Sequence, residues 1–176
     1  MIRFTHVKYG ILLAMVAILF GGLMGLSFGC CEDDVKGYLK TQAGSVAQEK
    51  YGGVQEKMDK VTNKSWVYMK RAHLHSQTMG VIAIAFSLLV AWLNFNPKIQ
   101  LGVSLLSGFG SLGYGVFWLL AALLAPSMGG THQAKEAVGL IAQASGASFF
   151  VAGVTVFAVL AYKMFVSKQI DSPENS

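Results

Sequence analysis

Charge is scarce in this chain. Asp, Glu, Lys and Arg make up 13% of its 176 residues, against about 25% in soluble domains. Hydrophobic residues make up 53%, and the mean hydropathy is positive. That balance points to a membrane protein and away from a soluble enzyme. Proline is rare as well, with three residues, as long helices require. The net charge of +5 has no basic stripe interleaved with exposed aromatics, which excludes a nucleic-acid partner.

Only two cysteines are present, adjacent at Cys30 and Cys31. Without a C-x-x-C motif a thiol relay is unsupported. Neighbouring cysteines rarely bond to each other, because the bridge strains the peptide between them. The pair therefore reads as small residues at a helix end. The rival, a lipoprotein cleavage site at "LSFGC", fits poorly with Ser27 and Phe28 before Cys30. Also missing is any carboxylate, Lys or Arg deep inside an apolar run, which argues against a self-sufficient proton pump or ion transporter.

What the chain does have is four apolar runs, spanning about 9–29, 75–95, 99–125 and 136–163. A bilayer core takes about 20 helical residues, so these are four membrane spans. The second reaches that length if its helix starts near His73 or His75. The expected fold is all-α: a four-span transmembrane bundle forming one membrane domain, with an extramembrane, partly helical segment at 30–72 and a short polar tail at 167–176. The first run follows Arg3 and Lys8 as a secretory signal would, but it is too long and lacks a small-residue cleavage site. It reads as a retained anchor.

The turn "NPK" at 96–98 makes spans two and three an antiparallel hairpin, and residues 126–136 bring span four back beside span three. Within the extramembrane segment Val54, Met58 and Val61 recur at helical spacing, predicting a short amphipathic helix on the membrane surface. Trp66 and Tyr68 then belong to the interfacial aromatic belt. Charges around span one favour a cytoplasmic N-terminus. The eight Lys and Arg of 30–71 favour the opposite sense. The first span takes precedence, so both termini are expected in the cytoplasm. The membrane expected is the bacterial cytoplasmic membrane.

Small residues mark packing faces. Gly21 and Gly25 form a G-x-x-x-G pair, Gly108, Gly110, Gly113 and Gly115 crowd span three, and Gly139, Gly146 and Gly153 recur every seven. Such faces let helices approach closely, within the bundle, between copies or against other subunits. Ser87, Ser145, Ser148 and Thr155 are expected to bond back to helix carbonyls. Gln143 is the amide deep enough in span four to bond across helices or to a cofactor.

Chemistry, if any, gathers at the histidines. His6 reads as a surface residue beside Lys8. His73, His75 and His132 fall on one membrane face, because span two enters where span three returns. His73 continues the Lys70–Arg71 run and reads as interfacial. His75 shares a helix face with Met79, and His132 with Glu136, with Met128 nearby. Nitrogen, sulfur and oxygen donors of this kind suit a haem b iron or a copper, zinc or iron ion. His75 and His132 are the leading ligands, with His73 in reserve. No nucleophile–base pair is present, so no catalytic residue is assigned.

The stretch "AHLHSQTMGVIAIAFSLL", with Ala72, His73, His75 and Gly80 in an A-H-x-H-x-x-x-x-G pattern, resembles small multi-pass bacterial proteins related to the haem–copper oxidase membrane subunit. The resemblance implies that a histidine at this helix start serves as a haem or metal ligand. The functional expectations are two. One is a small electron-transfer subunit of a respiratory-type complex, binding b-type haem or a metal. The other is a non-catalytic accessory or assembly subunit with no cofactor of its own. A quinone-site protein is a third class, for which no constellation is found.

Overall fold

The computed structural model describes residues 4–167; Arg3 and nearly all of the expected polar tail lie outside them. Among these residues there are helices and turns and no strand. Six α-helices follow in order: α1 Lys8–Ser45, α2 Ala47–Tyr51, α3 Gln55–Trp92, α4 Pro97–Leu124, α5 Thr131–Ala137 and α6 Gly139–Ala161, closed by a π-helical turn Tyr162–Val166. Four of the helices are long and apolar enough to cross a membrane. The fold is the expected all-α four-span bundle.

The extramembrane segment differs from expectation. At 38 residues each, α1 and α3 are about 57 Å long, nearly twice the bilayer core of about 30 Å. The second half of α1 and the first half of α3 therefore stand outside the membrane as an antiparallel hairpin capped by α2. Val54 caps α3, and Met58 and Val61 lie in its first turns, so no separate surface helix forms. The reason is pairing: this part of α3 packs on the outer half of α1, with Leu39, Ala43, Thr62 and Ser65 buried, while Val54 stays exposed. Tyr68 is corrected too, being 2% exposed and packed edge-on to Trp118. Trp66 is half-buried against Phe28.

One core runs without a break from bundle to hairpin, through Met24, Leu39, Tyr68, Met69, Phe117 and Trp118. At its outer end the Tyr51 hydroxyl donates to the Pro126 carbonyl across 2.6 Å, fixing α2 to the α4–α5 turn. Gly129 in that turn has φ +76°, and a Cβ there would lie 2.8 Å from Lys50 Cβ. Glycine is needed on both counts.

Cys30 and Cys31 are bonded to each other, against expectation, and they lie inside α1. Successive side chains on a helix diverge by about 100°, so joining them takes the backbone out of helix. Cys31 has φ −139° and ψ 32°, which is the kink separating the membrane half of α1 from its outer half.

α4 is the central helix, packing on α1, α3 and α6. Its glycines mark the crossings. A Cβ on Gly108 would meet the Gly10 carbonyl of α1, one on Gly115 the Ser76 hydroxyl of α3, and one on Gly110 the Ser145 carbonyl of α6 at 2.8 Å. The Ser104 hydroxyl donates to the Val7 carbonyl across 2.8 Å and lies 3.0 Å from Ser87 Oγ, tying α1, α3 and α4 together. Ser87, Ser145, Ser148 and Thr155 bond back to carbonyls of their own helices, as expected. The α3–α4 turn is closed by Asn96, whose side chain accepts from the Lys98 N–H at 2.9 Å with Pro97 in the first helical turn. Exposed Leu12, Leu19, Leu23, Leu26, Phe150 and Phe157 face outward from α1 and α6, where lipid surrounds the bundle.

Candidate functional site

The expected donors separate into three settings. His73 does not stand at the interface. Its ring is half-buried between α1 and α3, with Nδ1 2.7 Å from the Gly21 carbonyl and Phe28 edge-on at 5.9 Å. The G-x-x-x-G pair of α1 makes the room. A Cβ on Gly25 would sit 2.7 Å from His73 Cε1, and one on Gly21 would strike Gln77 and the His73 carbonyl. The pair is thus a slot for α3 side chains. With Nδ1 donating to the carbonyl, one ring nitrogen is already committed to holding two helices together.

His75 lies among aromatics at the α3–α4 seam. Its ring is edge-on to Tyr114 at 5.3 Å and nearly parallel to Trp118 at 6.1 Å. The Arg71 guanidinium, one turn earlier, sits 4.9 Å from the Trp118 ring centre and 5.5 Å from that of Tyr68. Both distances suit cation–π attraction. Trp118 is 9% exposed, and its buried indole N–H has no hydrogen-bond partner among the described residues. Met79, one turn past His75, is half-buried.

His132 and Glu136 pair with each other on α5, Nδ1 to Oε2 at 3.2 Å, with both side chains largely exposed. The expected shared face is real. The helix is short, however, because the chain breaks at Val138 before α6 begins. The fourth span therefore starts at Gly139 and not at 136. The two residues line an open recess of about 460 Å³ with Lys135, Gly139, Leu140 and Gln143. Gln143 faces outward from α6 rather than into the bundle.

His75 and His132 thus touch different neighbours on different elements. The end of α4, Leu124, is six residues beyond Trp118, about 9 Å of helix rise, and α5 begins only after a further turn. Among the described residues no group of three or more His, Cys, Asp or Glu converges as a metal site. The arrangement that exists around His75 is a cation–aromatic cluster of Arg71, His75, Tyr114 and Trp118.

No family model, curated protein or solved structure matches the chain. The likeness to oxidase-related proteins accordingly rests on Ala72, His73, His75 and Gly80 alone.

Tyr114, Trp118 and Arg71 were not singled out from sequence. A signal existed: with a tight turn centred at Asn94–Phe95, His75 and Tyr114 are each nineteen residues away and so fall opposite one another. Trp118 is one turn past Tyr114, on the same face.

Proposed function

We propose that the chain is an accessory subunit of a larger membrane complex, with no chemistry of its own, and that its outer hairpin is the part that meets a partner. One observation carries this: α1 and α3 run from the bilayer into the hairpin on a single core, so a surface outside the membrane is held rigidly by the bundle. The hairpin is well charged, with eight Lys and Arg against six Asp and Glu in 30–71, and charge patterns of this sort steer partner choice. A respiratory-type complex of a bacterial cytoplasmic membrane, with both termini cytoplasmic, is the setting in which the reading is placed. Extraction in mild detergent tests it. A stoichiometric assembly with other membrane subunits should survive, and reversing hairpin charges at Lys57 and Lys64 should release this chain from it. A chain that extracts alone from its native membrane overturns the reading.

A cofactor reading is kept alongside it because of His75. Its imidazole is half-buried beside Trp118, whose buried N–H awaits an acceptor. In that reading His75 ligates a b-type haem or a metal as the one donor from this chain, because His73 is committed to the Gly21 carbonyl and His132 to Glu136 on α5. A reducible Soret band or bound copper, zinc or iron in the purified protein supports it, and the band should vanish in His75→Ala but not in His6→Ala. A colourless, metal-free protein ends it.

A further inference from the structure

The recess between the outer halves of α1 and α3 has no role in either reading. It holds about 170 Å³ and is lined by Lys36, Leu39, Lys40, Thr62, Asn63 and Trp66. That is several times the roughly 30 Å³ a water molecule occupies in the liquid, room enough for a phosphate group. We propose that this recess binds the phosphate headgroup of an anionic phospholipid.

Its depth relative to the membrane comes first. The apolar run of α1 ends at Gly29, and Trp66 packs edge-on to Phe28 with ring centres 4.9 Å apart. Trp66 is therefore level with the last apolar turn, where indoles sit at the boundary of hydrocarbon and headgroups. Lys36 Nζ lies 5.3 Å from the Trp66 ring centre, next to the residue that marks this boundary.

The lining chemistry comes second. Lys36 and Lys40 are one turn apart on α1 and share a face. Lys36 is paired with Glu32, whereas Lys40 has no carboxylate within ion-pair distance among the described residues. Asn63 is exposed at the rim, with its amide free to donate. Thr62 spends its hydroxyl hydrogen on the Asp59 carbonyl at 3.1 Å, leaving oxygen lone pairs only. Two ammonium groups and an amide thus face an anion, with one carboxylate competing for Lys36.

The source of the phosphate comes third. Leu39, 1% exposed, closes the floor, and the Trp66 ring forms an apolar wall toward the bilayer. Exposed Leu23 and Leu26 lie on the membrane half of α1 below. A free phosphate would use none of this apolar surface, whereas a lipid uses both ends. The site stands whatever partner the hairpin meets.

Detergent-purified full-length protein tests the proposal, read by native mass spectrometry and thermal unfolding with phosphatidylglycerol, phosphatidylcholine or inorganic phosphate. Phosphatidylglycerol should bind at least tenfold more tightly than phosphatidylcholine and raise the melting temperature. The double variant Lys36→Gln/Lys40→Gln should lose that preference. Lys57→Gln/Lys64→Gln, which removes the same charge from the opposite face of α3, should keep it. Equal binding of the two lipids, or equal loss in both double variants, overturns the site. Inorganic phosphate binding as tightly as the lipid overturns the lipid as source. Should the first double variant misfold, a Trp92→Phe background decides, since Trp92 is itself exposed on the apolar half of α3: brominated phosphatidylglycerol should quench tryptophan fluorescence more than brominated phosphatidylcholine, and Trp66→Phe should remove most of that difference. An unchanged difference in Trp66→Phe overturns the proposal.

Discussion

Tyr51 and the glycines of α4 illustrate two ways in which single residues set this structure. The Tyr51 ring is 2% exposed and its hydroxyl bonds the Pro126 carbonyl outside the membrane. Tyr51→Phe should cost about 0.5–1.5 kcal/mol, the net worth of one such bond, measured by thermal unfolding at neutral pH. Burial also pushes the Tyr51 hydroxyl above its ordinary pKa of 10.0. The fold favours the neutral phenol, so its contribution is whole below pH 10 and is lost as pH rises through the folded value. Tyr51→Phe should lack that part of the alkaline loss; identical alkaline profiles in both proteins would refute the assignment. In α4 the contrast is between Gly110 and Gly102. A Cβ on Gly110 meets the Ser145 carbonyl at 2.8 Å, whereas one on Gly102 meets nothing within 4 Å. Gly110→Val should destabilise by about 3 kcal/mol through overpacking against backbone. Gly102→Ala should be neutral or gain up to about 1 kcal/mol from helix propensity. Denaturant titration in detergent separates the two, and equal effects would mean the α4–α6 crossing is not where the structure puts it.

At the scale of elements, the hairpin depends on pairing between the outer halves of α1 and α3. Leu39 is the largest side chain fully buried there. Leu39→Ala should cost about 2–5 kcal/mol, as cavity-forming core substitutions do, with the loss confined to the hairpin. Trypsin should then cut within 30–71 much faster than in the wild type, while the apolar halves of the helices stay helical by circular dichroism. Cleavage at the wild-type rate would show that the hairpin does not rely on this contact. The short α5 is a different case. Its His132–Glu136 pair is largely exposed, and exposed pairs of this kind contribute at most about 0.5 kcal/mol. Its position at the rim of a recess, more than its own stability, is what gives it interest.

Over the whole molecule, four spans put both ends of the described chain on one side of the membrane and the hairpin on the other. With Cys30 and Cys31 replaced by Ser, Thr41→Cys and Ser167→Cys should react with a membrane-impermeant maleimide from opposite sides. In intact cells with a cytoplasmic C-terminus, Thr41→Cys should label first. Labelling of both from one side would contradict the four-span fold, and labelling of Ser167→Cys alone would reverse the proposed orientation. The central place of α4 explains why it is the most buried span, whereas α1 and α6 present mostly lipid-facing surface.

The amino-acid pattern by itself determined the number of spans, the two tight connections, the back-bonded hydroxyls and the meeting of His132 with Glu136. Each is a local consequence of hydropathy, turn chemistry or helical period, which need no knowledge of neighbours. Tertiary structure decided the rest. The polar stretch after Cys31 continues as helix because α1 and α3 cover each other, and no single segment encodes that. His73 is taken up by the Gly21–Gly25 slot on another helix, and Tyr68 by Trp118. Cys30 and Cys31 bond to each other and kink α1. His75 and His132, level by topology alone, are claimed by different neighbours, because packing is settled by side chains arriving from all the helices at once.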